Sequence, residues 1–412
     1  MPRLLIVAAI AASYFVFAIL LNSVGTVILQ SINTFDISKP QASVLEGFKD
    51  LSIAGVSFLI ASFIPRIGYK IAMLIGLAMV GILCALTPSI ASFWVIKLLF
   101  AGVGTAFALV KVSVYAIIGQ VTDSTKSHSS LMNTIEGIFM LGVLSGYWIF
   151  SAFIDPLNTA SANWLNVYYF LALLLLAALL LVMAAPITTP AKEELPGQAL
   201  GDFVAMIKLA YQPLVLIFVL SIFLYVLIEQ GIGSWLPTFN REVLGLPVNI
   251  SIQITSIFAV SLAIGRLGAG AILTKVHWYP FLNSCLVLMA LIMLLSLPLA
   301  TKVPEGTVLS LFDAPLAAFL VPMIGLMMAP IYPVINSVML SSLPRPQHAP
   351  MTGLIVVFSA LGGTTGSIIT GYVFEALGGQ TAFYFSLIPI VLILVTLFFF
   401  KRSSHSMTSP AN

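Results

Sequence analysis

Charge is scarce in this chain of 412 residues: only 8% are Asp, Glu, Lys or Arg, against about a quarter in ordinary soluble domains. A soluble globule of this size needs far more charge to cover its surface, so the composition excludes a soluble enzyme and a disordered chain. The formal net charge of +3 makes no basic patch and excludes a nucleic-acid binder. There are two cysteines, Cys84 and Cys285, both inside apolar runs, which gives neither a disulfide framework nor a metal site. Four histidines (His128, His277, His348 and His405) fall in expected connectors or the tail, which leaves no metal cluster and no buried histidine relay. A phosphate-binding loop is missing as well, so direct ATP drive is excluded, and no cofactor is expected. An enzyme would need a nucleophile and base, or a metal, gathered at one depth, and the sequence offers neither.

What the chain has is apolar length. Sixty per cent of it, 60%, is hydrophobic, and the mean hydropathy is +1.11. A membrane-crossing helix needs about 20 mostly apolar residues. Twelve such runs are predicted, at 4–31, 43–63, 70–87, 92–118, 131–154, 164–184, 211–236, 250–272, 280–300, 313–340, 351–375 and 382–400. They are long and continuous, whereas barrel strands alternate in short segments. The first is too long, and too polar at Tyr14 and Asn22, for a cleaved leader.

With the N-terminus on the cytoplasmic side, Arg3, Arg66, Lys70, Lys126, Lys192, Lys208, Lys275, Arg345, Lys401 and Arg402 fall inside. Lys39, Lys49, Arg241 and Lys302 fall outside or at the outer edge. This bias places both termini in the cytoplasm. The longest cytoplasmic connector carries Pro186, Pro190, Lys192, Glu193, Glu194, Pro196 and Gly197. It divides the chain into an N-terminal six-helix bundle at 1–184, a linker at 185–208, a C-terminal six-helix bundle at 209–400 and a tail at 401–412. The expected fold is thus all-α and integral to the membrane, with two pseudo-symmetric bundles from a parallel repeat.

Charges inside the runs are costly, about 2.5–3.5 kcal/mol each at the bilayer centre, and demand partners. Lys111 in the fourth run, Glu136 in the fifth and Arg266 in the eighth all lie about five to seven residues from the inner surface, at one depth. Near the outer side, Glu46, Lys49 and Asp50 share a face of the second run at spacings of three and four. They read either as an interfacial ion network or as a cation or proton coupling site. Lys97 and Lys111 are separated by nearly four turns, about 21 Å along one face. That face carries an anion or supplies partners for the acids. Glu229 in the seventh run has Tyr225 one turn away. It reads either as an interhelical anchor or as a substrate-binding or coupling carboxylate. Uncharged polar residues accompany these: Asn22 and Gln30 in the first run, Tyr115 in the fourth, Gln230 and Trp235 in the seventh, Tyr332 and Asn336 in the tenth. Amides and carboxylates hold hydroxyls, and an aromatic plate suits the C–H face of a sugar.

Several motifs resemble a known family. Six plus six helices around a cytoplasmic loop is similar to the major facilitator superfamily. Arg66-Ile67-Gly68-Tyr69-Lys70 resembles its short basic loop, with Pro65 replacing the usual acid. That departure is similar to the fucose–proton symporter family. So are Ile37-Ser38-Lys39-Pro40-Gln41-Ala42, Glu229-Gln230-Gly231-Ile232-Gly233-Ser234-Trp235-Leu236-Pro237, and Pro330-Ile331-Tyr332-Pro333. Two positions depart from it: the first run has no acid before Asp36, and the fourth carries Lys111 where an acid is expected.

The resemblance implies alternating access about a central cavity lined by helices 1, 4, 7 and 10, with helices 5 and 8 touching across the bundles. Asn22, Gln30, Lys111, Tyr115, Glu229, Gln230, Trp235, Tyr332 and Asn336 then become candidate substrate residues. Glu46, Asp50, Glu136 and Arg266 become candidates for coupling or gating. The expected activity is cation-coupled uptake of a sugar or similar small polar solute, the cation read as a proton. The alternative is an organic-anion transporter with Lys111 as counter-charge. The expected setting is a bacterial inner membrane, with a solute, a coupling cation and lipid as partners, no nucleic acid, and a monomeric chain.

Overall fold

The computed structural model describes residues 2–61, 67–187, 206–304, 306–308, 310–344 and 347–408. Pro65, Arg66, Arg345 and the linker residues Pro190, Lys192, Glu193, Glu194, Pro196 and Gly197 lie outside the described residues. All regular structure among the described residues is helical, as a chain in lipid requires, because a helix satisfies its own backbone donors and acceptors. Eleven helices among them are long and apolar enough to cross a bilayer. The charged helix α3 (Lys39–Ala61) covers the expected second run.

The first run is two helices, α1 (Pro2–Asn22) and α2 (Val24–Phe35), interrupted at Ser23. There the Ser23 hydroxyl bonds back to Leu20 O at 2.8 Å. Helix α3 begins four residues ahead of the expected apolar run. Ser38 N–H donates to Gln41 Oε1 at 3.1 Å, and Gln41 N–H to Ser38 Oγ at 3.3 Å. This reciprocal pairing is a Ser-x-x-Gln capping box, which starts the helix before its apolar residues do. Next come α4 (Tyr69–Ile90), α5 (Phe93–Val121), α6 (Thr125–Ala152) and α7 (Val167–Ala184). Helix α6 also starts early, on a capping box between Ser124 and Ser127.

The later helices are α8 (Pro213–Gly233), α9 (Leu236–Glu242), α10 (Val248–Ile272) and α11 (Trp278–Ser296). The tenth run is broken into α12 (Leu316–Leu320), α13 (Ile324–Met328) and α14 (Ile331–Ser341). Pro322 and Pro330 stand at its joints, each removing a backbone donor. Helix α15 (His348–Leu377) is followed by α16 (Gly379–Tyr384) and α17 (Leu387–Thr408). The expected tail from 401 therefore continues as helix to Thr408. The histidines are not all in connectors: His128 and His348 stand in first turns, and His277 caps α11.

Two compact units result, Met1–Ile37 with Leu45–Ala199, and Ser38–Val44 with Leu200–Asn412. Their boundary falls within the 185–208 connector, while the first turns of α3 group with the second unit. In the first unit α1 packs on α6 and α7, and α4 on α5 and α7. Gly142 makes the first of these contacts close: a Cβ there would lie 2.5 Å from Phe15 O and 2.8 Å from Ala18 Cβ. Small residues let membrane helices approach in this way. Lys70, from the basic loop, donates to Met183 O at 2.8 Å and Ala185 O at 2.7 Å, neutralising the carbonyl end of α7. In the second unit α8 packs on α15 and α17, and α10 on α13. Both cysteines are free thiols buried in the packing.

Candidate functional site

In the first unit, helical spacing of four puts Phe107, Lys111 and Tyr115 in a row on α5. Glu136 and Phe139, three apart, face them from α6. The Tyr115 hydroxyl donates to Glu136 Oε1 at 3.0 Å. Tyr14 of α1, 1% exposed, closes the group. Its ring centroid lies 6.1 Å from that of Phe107, 6.5 Å from Tyr115 and 5.7 Å from Phe139. Lys111 Nζ stands 5.8 Å from the ring centroids of both Phe107 and Tyr115, within cation–π range. Glu136 acts on Lys111 electrostatically, but among the described residues Lys111 has no ion pair and no hydrogen bond. The result is a cation on an aromatic wall beside a phenol–carboxylate pair. It can hold a ring, a hydroxyl and a negative group together.

The same unit carries the α3 charges. Glu46 is 0% exposed and Lys49 6%. Lys49 Nζ pairs with Glu46 Oε1 and, at 3.4 Å, with Asp50 Oδ1. It also donates to Leu21 O at 3.4 Å, in the last turn of α1. The outer lysine, Lys97, is placed differently. Its Nζ lies 3.3 Å from the ring centroid of Trp94, 5.1 Å from Phe93 and 5.9 Å from Phe48. Lys97 thus rests on aromatic rings.

The second unit has its own phenol–carboxylate pair. Tyr225, fully buried, donates to Glu229 Oε1 at 3.1 Å within α8. The Tyr332 ring of α14 lies 5.7 Å from that of Tyr225, and the Tyr332 hydroxyl is 3.2 Å from Ser359 Oγ on α15. Arg266 of α10 is exposed, and its charge acts on both tyrosines. Asn336, one turn beyond Tyr332, has its Oδ1 without a hydrogen-bond partner among the described residues. Within the first unit Lys111 stands beside Glu136, and within the second Arg266 lies in electrostatic range of Tyr225 and Tyr332.

Other candidates take quieter places. Trp235 is 0% exposed. Its indole N–H donates to Ser367 O at 3.0 Å and reaches Ser367 Oγ at 3.2 Å, and its ring lies 5.7 Å from Phe374. A ring with both faces covered is no platform for a sugar, so Trp235 is a packing residue joining α9 to α15. Gln230 accepts from Ser234 Oγ at 3.4 Å. Asn22 bonds back to Ala18 O at 3.0 Å. Gln30 is 1% exposed, and its Nε2 has no hydrogen-bond partner among the described residues. Sequence reasoning missed Tyr14, Phe107, Phe139 and Ser359. The row Phe107, Lys111, Tyr115 was visible in the spacing. Tyr14, Phe139 and Ser359 come from other helices, and no local pattern marks them.

This arrangement has known relatives in fold. A bacterial homologue of the human lysosomal transporter Spinster, in an inward-facing and occupied conformation, superposes with a TM-score of 0.77 at 15% identity, covering 98% of this chain and 98% of that one. The nucleoside transporter NupG matches with a TM-score of 0.69 at 17% identity over 100% of both chains. FucP, a Major Facilitator Superfamily transporter in the outward conformation, matches with a TM-score of 0.61 at 16% identity over 100% of both. At such identities the likeness is one of fold. No curated protein matches the chain in sequence. The family profile of the Major Facilitator Superfamily, however, matches residues 7–323, and the chain belongs to that superfamily of membrane transporters.

Proposed function

We propose that the chain is a secondary active transporter that takes up a sugar or similar small polar solute with a cation, the proton, by alternating access. The observation that carries this reading is the phenol–carboxylate pair in each unit, Tyr115 to Glu136 at 3.0 Å and Tyr225 to Glu229 at 3.1 Å. Such a pair offers an acceptor and an orientable hydroxyl side by side, the partners a polyhydroxy solute needs. Glu46, Lys49 and Asp50 form the coupling group in this reading. One of its two carboxylates takes up the coupling proton. The chain acts as a monomer in a bacterial inner membrane, with both termini cytoplasmic.

A second reading, uptake of an organic anion, is favoured by Lys111, a cation on aromatic walls with no ion pair among the described residues. Uptake in proteoliposomes with imposed proton and sodium gradients, over a panel of neutral and anionic solutes, separates the two. The first reading expects proton-driven uptake of a neutral solute that Glu229→Gln abolishes and Lys111→Gln spares. Uptake confined to anions and lost in Lys111→Gln establishes the second. Flux that ignores both gradients refutes secondary active transport.

A further inference from the structure

We propose that Lys49 is a tethered cation: its ammonium fills a monovalent-cation site built by Glu46, Asp50 and the Leu21 carbonyl, and so shuts sodium out of the coupling group. This deepens the proton-coupled reading above and rests on it. The argument begins with the oxygens. Glu46 Oε1 pairs with the Lys49 ammonium, Asp50 Oδ1 stands 3.4 Å from it, and the ammonium donates to Leu21 O at 3.4 Å. Leu21 lies in the last turn of α1, just before the interruption at Ser23. Carbonyls at a helix end lack intrahelical donors and are free to face a cation. Interrupted membrane helices present carbonyls to sodium or protons in this manner. Two carboxylates plus a main-chain carbonyl, all hard oxygens, form a donor set suited to a hard cation.

The cradle is also walled. Helix α5 passes so near that a Cβ at Gly104 would collide with Lys49 O, so α3 is held against α5 at this residue. Tyr147 of α6 also lies within electrostatic range of Lys49. Burial strips both carboxylates of much of their water, and unpaired they would be costly. A lysine from the same helix supplies the compensating charge at every moment. It cannot leave, and it sits where a diffusing sodium ion would have to sit. A proton needs no such space, since it adds to a carboxylate oxygen already present. Steric and electrostatic occupancy by Lys49 thus makes the group proton-selective.

The test uses purified full-length protein and sodium alone as the probe, with no solute. Melting is followed in sodium chloride and in choline chloride at matched ionic strength. Wild type and Lys49→Arg are expected to melt alike in both salts. Lys49→Ala, which vacates the cradle, is expected to gain a saturable, sodium-specific upward shift, as binding to the folded state requires. Adding Asp50→Asn to Lys49→Ala should abolish that shift. A sodium-specific shift in the wild type overturns the proposal by itself, whether or not the alanine variant folds. So does a folded Lys49→Ala that answers equally to the two salts. Because melting needs no flux, proteoliposomes that fail to transport would sink the uptake reading and leave the sodium result standing.

Discussion

Alanine at Gly142 tests a close helix contact in the first unit, that of α1 with α6. The added methyl would meet Phe15 O at 2.5 Å and Ala18 Cβ at 2.8 Å. Carbons in contact settle at roughly 3.5–4.0 Å, so α1 and α6 must part by well over half an ångström. Overpacking of this kind costs about 1–3 kcal/mol. Every glycine-to-alanine change in a helix also gains about 1 kcal/mol in propensity, which blurs the single measurement. Gly137, on the same helix, removes the ambiguity, because a Cβ there meets nothing within 4 Å. The difference between Gly142→Ala and Gly137→Ala therefore isolates the collision. At about 2–4 °C per kcal/mol for a unit of this size, Gly142→Ala should melt about 2–12 °C below Gly137→Ala. The same separation draws Tyr14 away from Phe139, so solute affinity should fall in parallel. If the two variants melt together, the α1–α6 contact is not as close as described, and the placement of Tyr14 in the site falls with it.

Other variants separate binding from packing. Tyr115→Phe removes the donor to Glu136 and should weaken solute binding by about 1 kcal/mol, near fivefold in Kd, without lowering the melting temperature; isothermal titration reads it. Trp235→Phe should do the reverse, losing about 1 kcal/mol of stability through the abandoned Ser367 acceptors while Kd stays unchanged. Lys70→Ala strips two charge-assisted bonds from the end of α7 and should cost about 1–3 kcal/mol in thermal melts. Lys70→Arg should recover part of that loss.

The helices were legible because lipid makes a crude demand. Some 20 apolar residues in a row are hard to conceal, and charged or proline-bearing connectors separate them. The breaks were less legible. Ser23 interrupts the first run between Asn22 and Gly25, a weak breaking signal that the long apolar stretch around it conceals, while Ser13 stays helical. Pro322 and Pro330 did announce the joints of the tenth run, but hydropathy averages across them. The early start of α3 was written in Ser38-Lys39-Pro40-Gln41, a capping signature hidden by the polar residues that compose it. Site residues divided along similar lines. Glu46, Lys49 and Asp50 share one helix, so their spacing foretold their meeting. Lys97 rests first on Trp94 and Phe93, three and four residues before it, a local spacing that carries no charge signal; Trp235 was placed by Ser367, distant in sequence.

Both native thiols are shut inside the packing, Cys84 at 0% and Cys285 at 4% exposure. The wild-type chain therefore offers maleimides no surface target, and it is already a blank background for single-site chemistry. A cysteine at Leu157, 97% exposed in the connector between α6 and α7, would be the lone accessible handle. Impermeant reagents applied to intact cells would then report which face of the membrane that connector occupies.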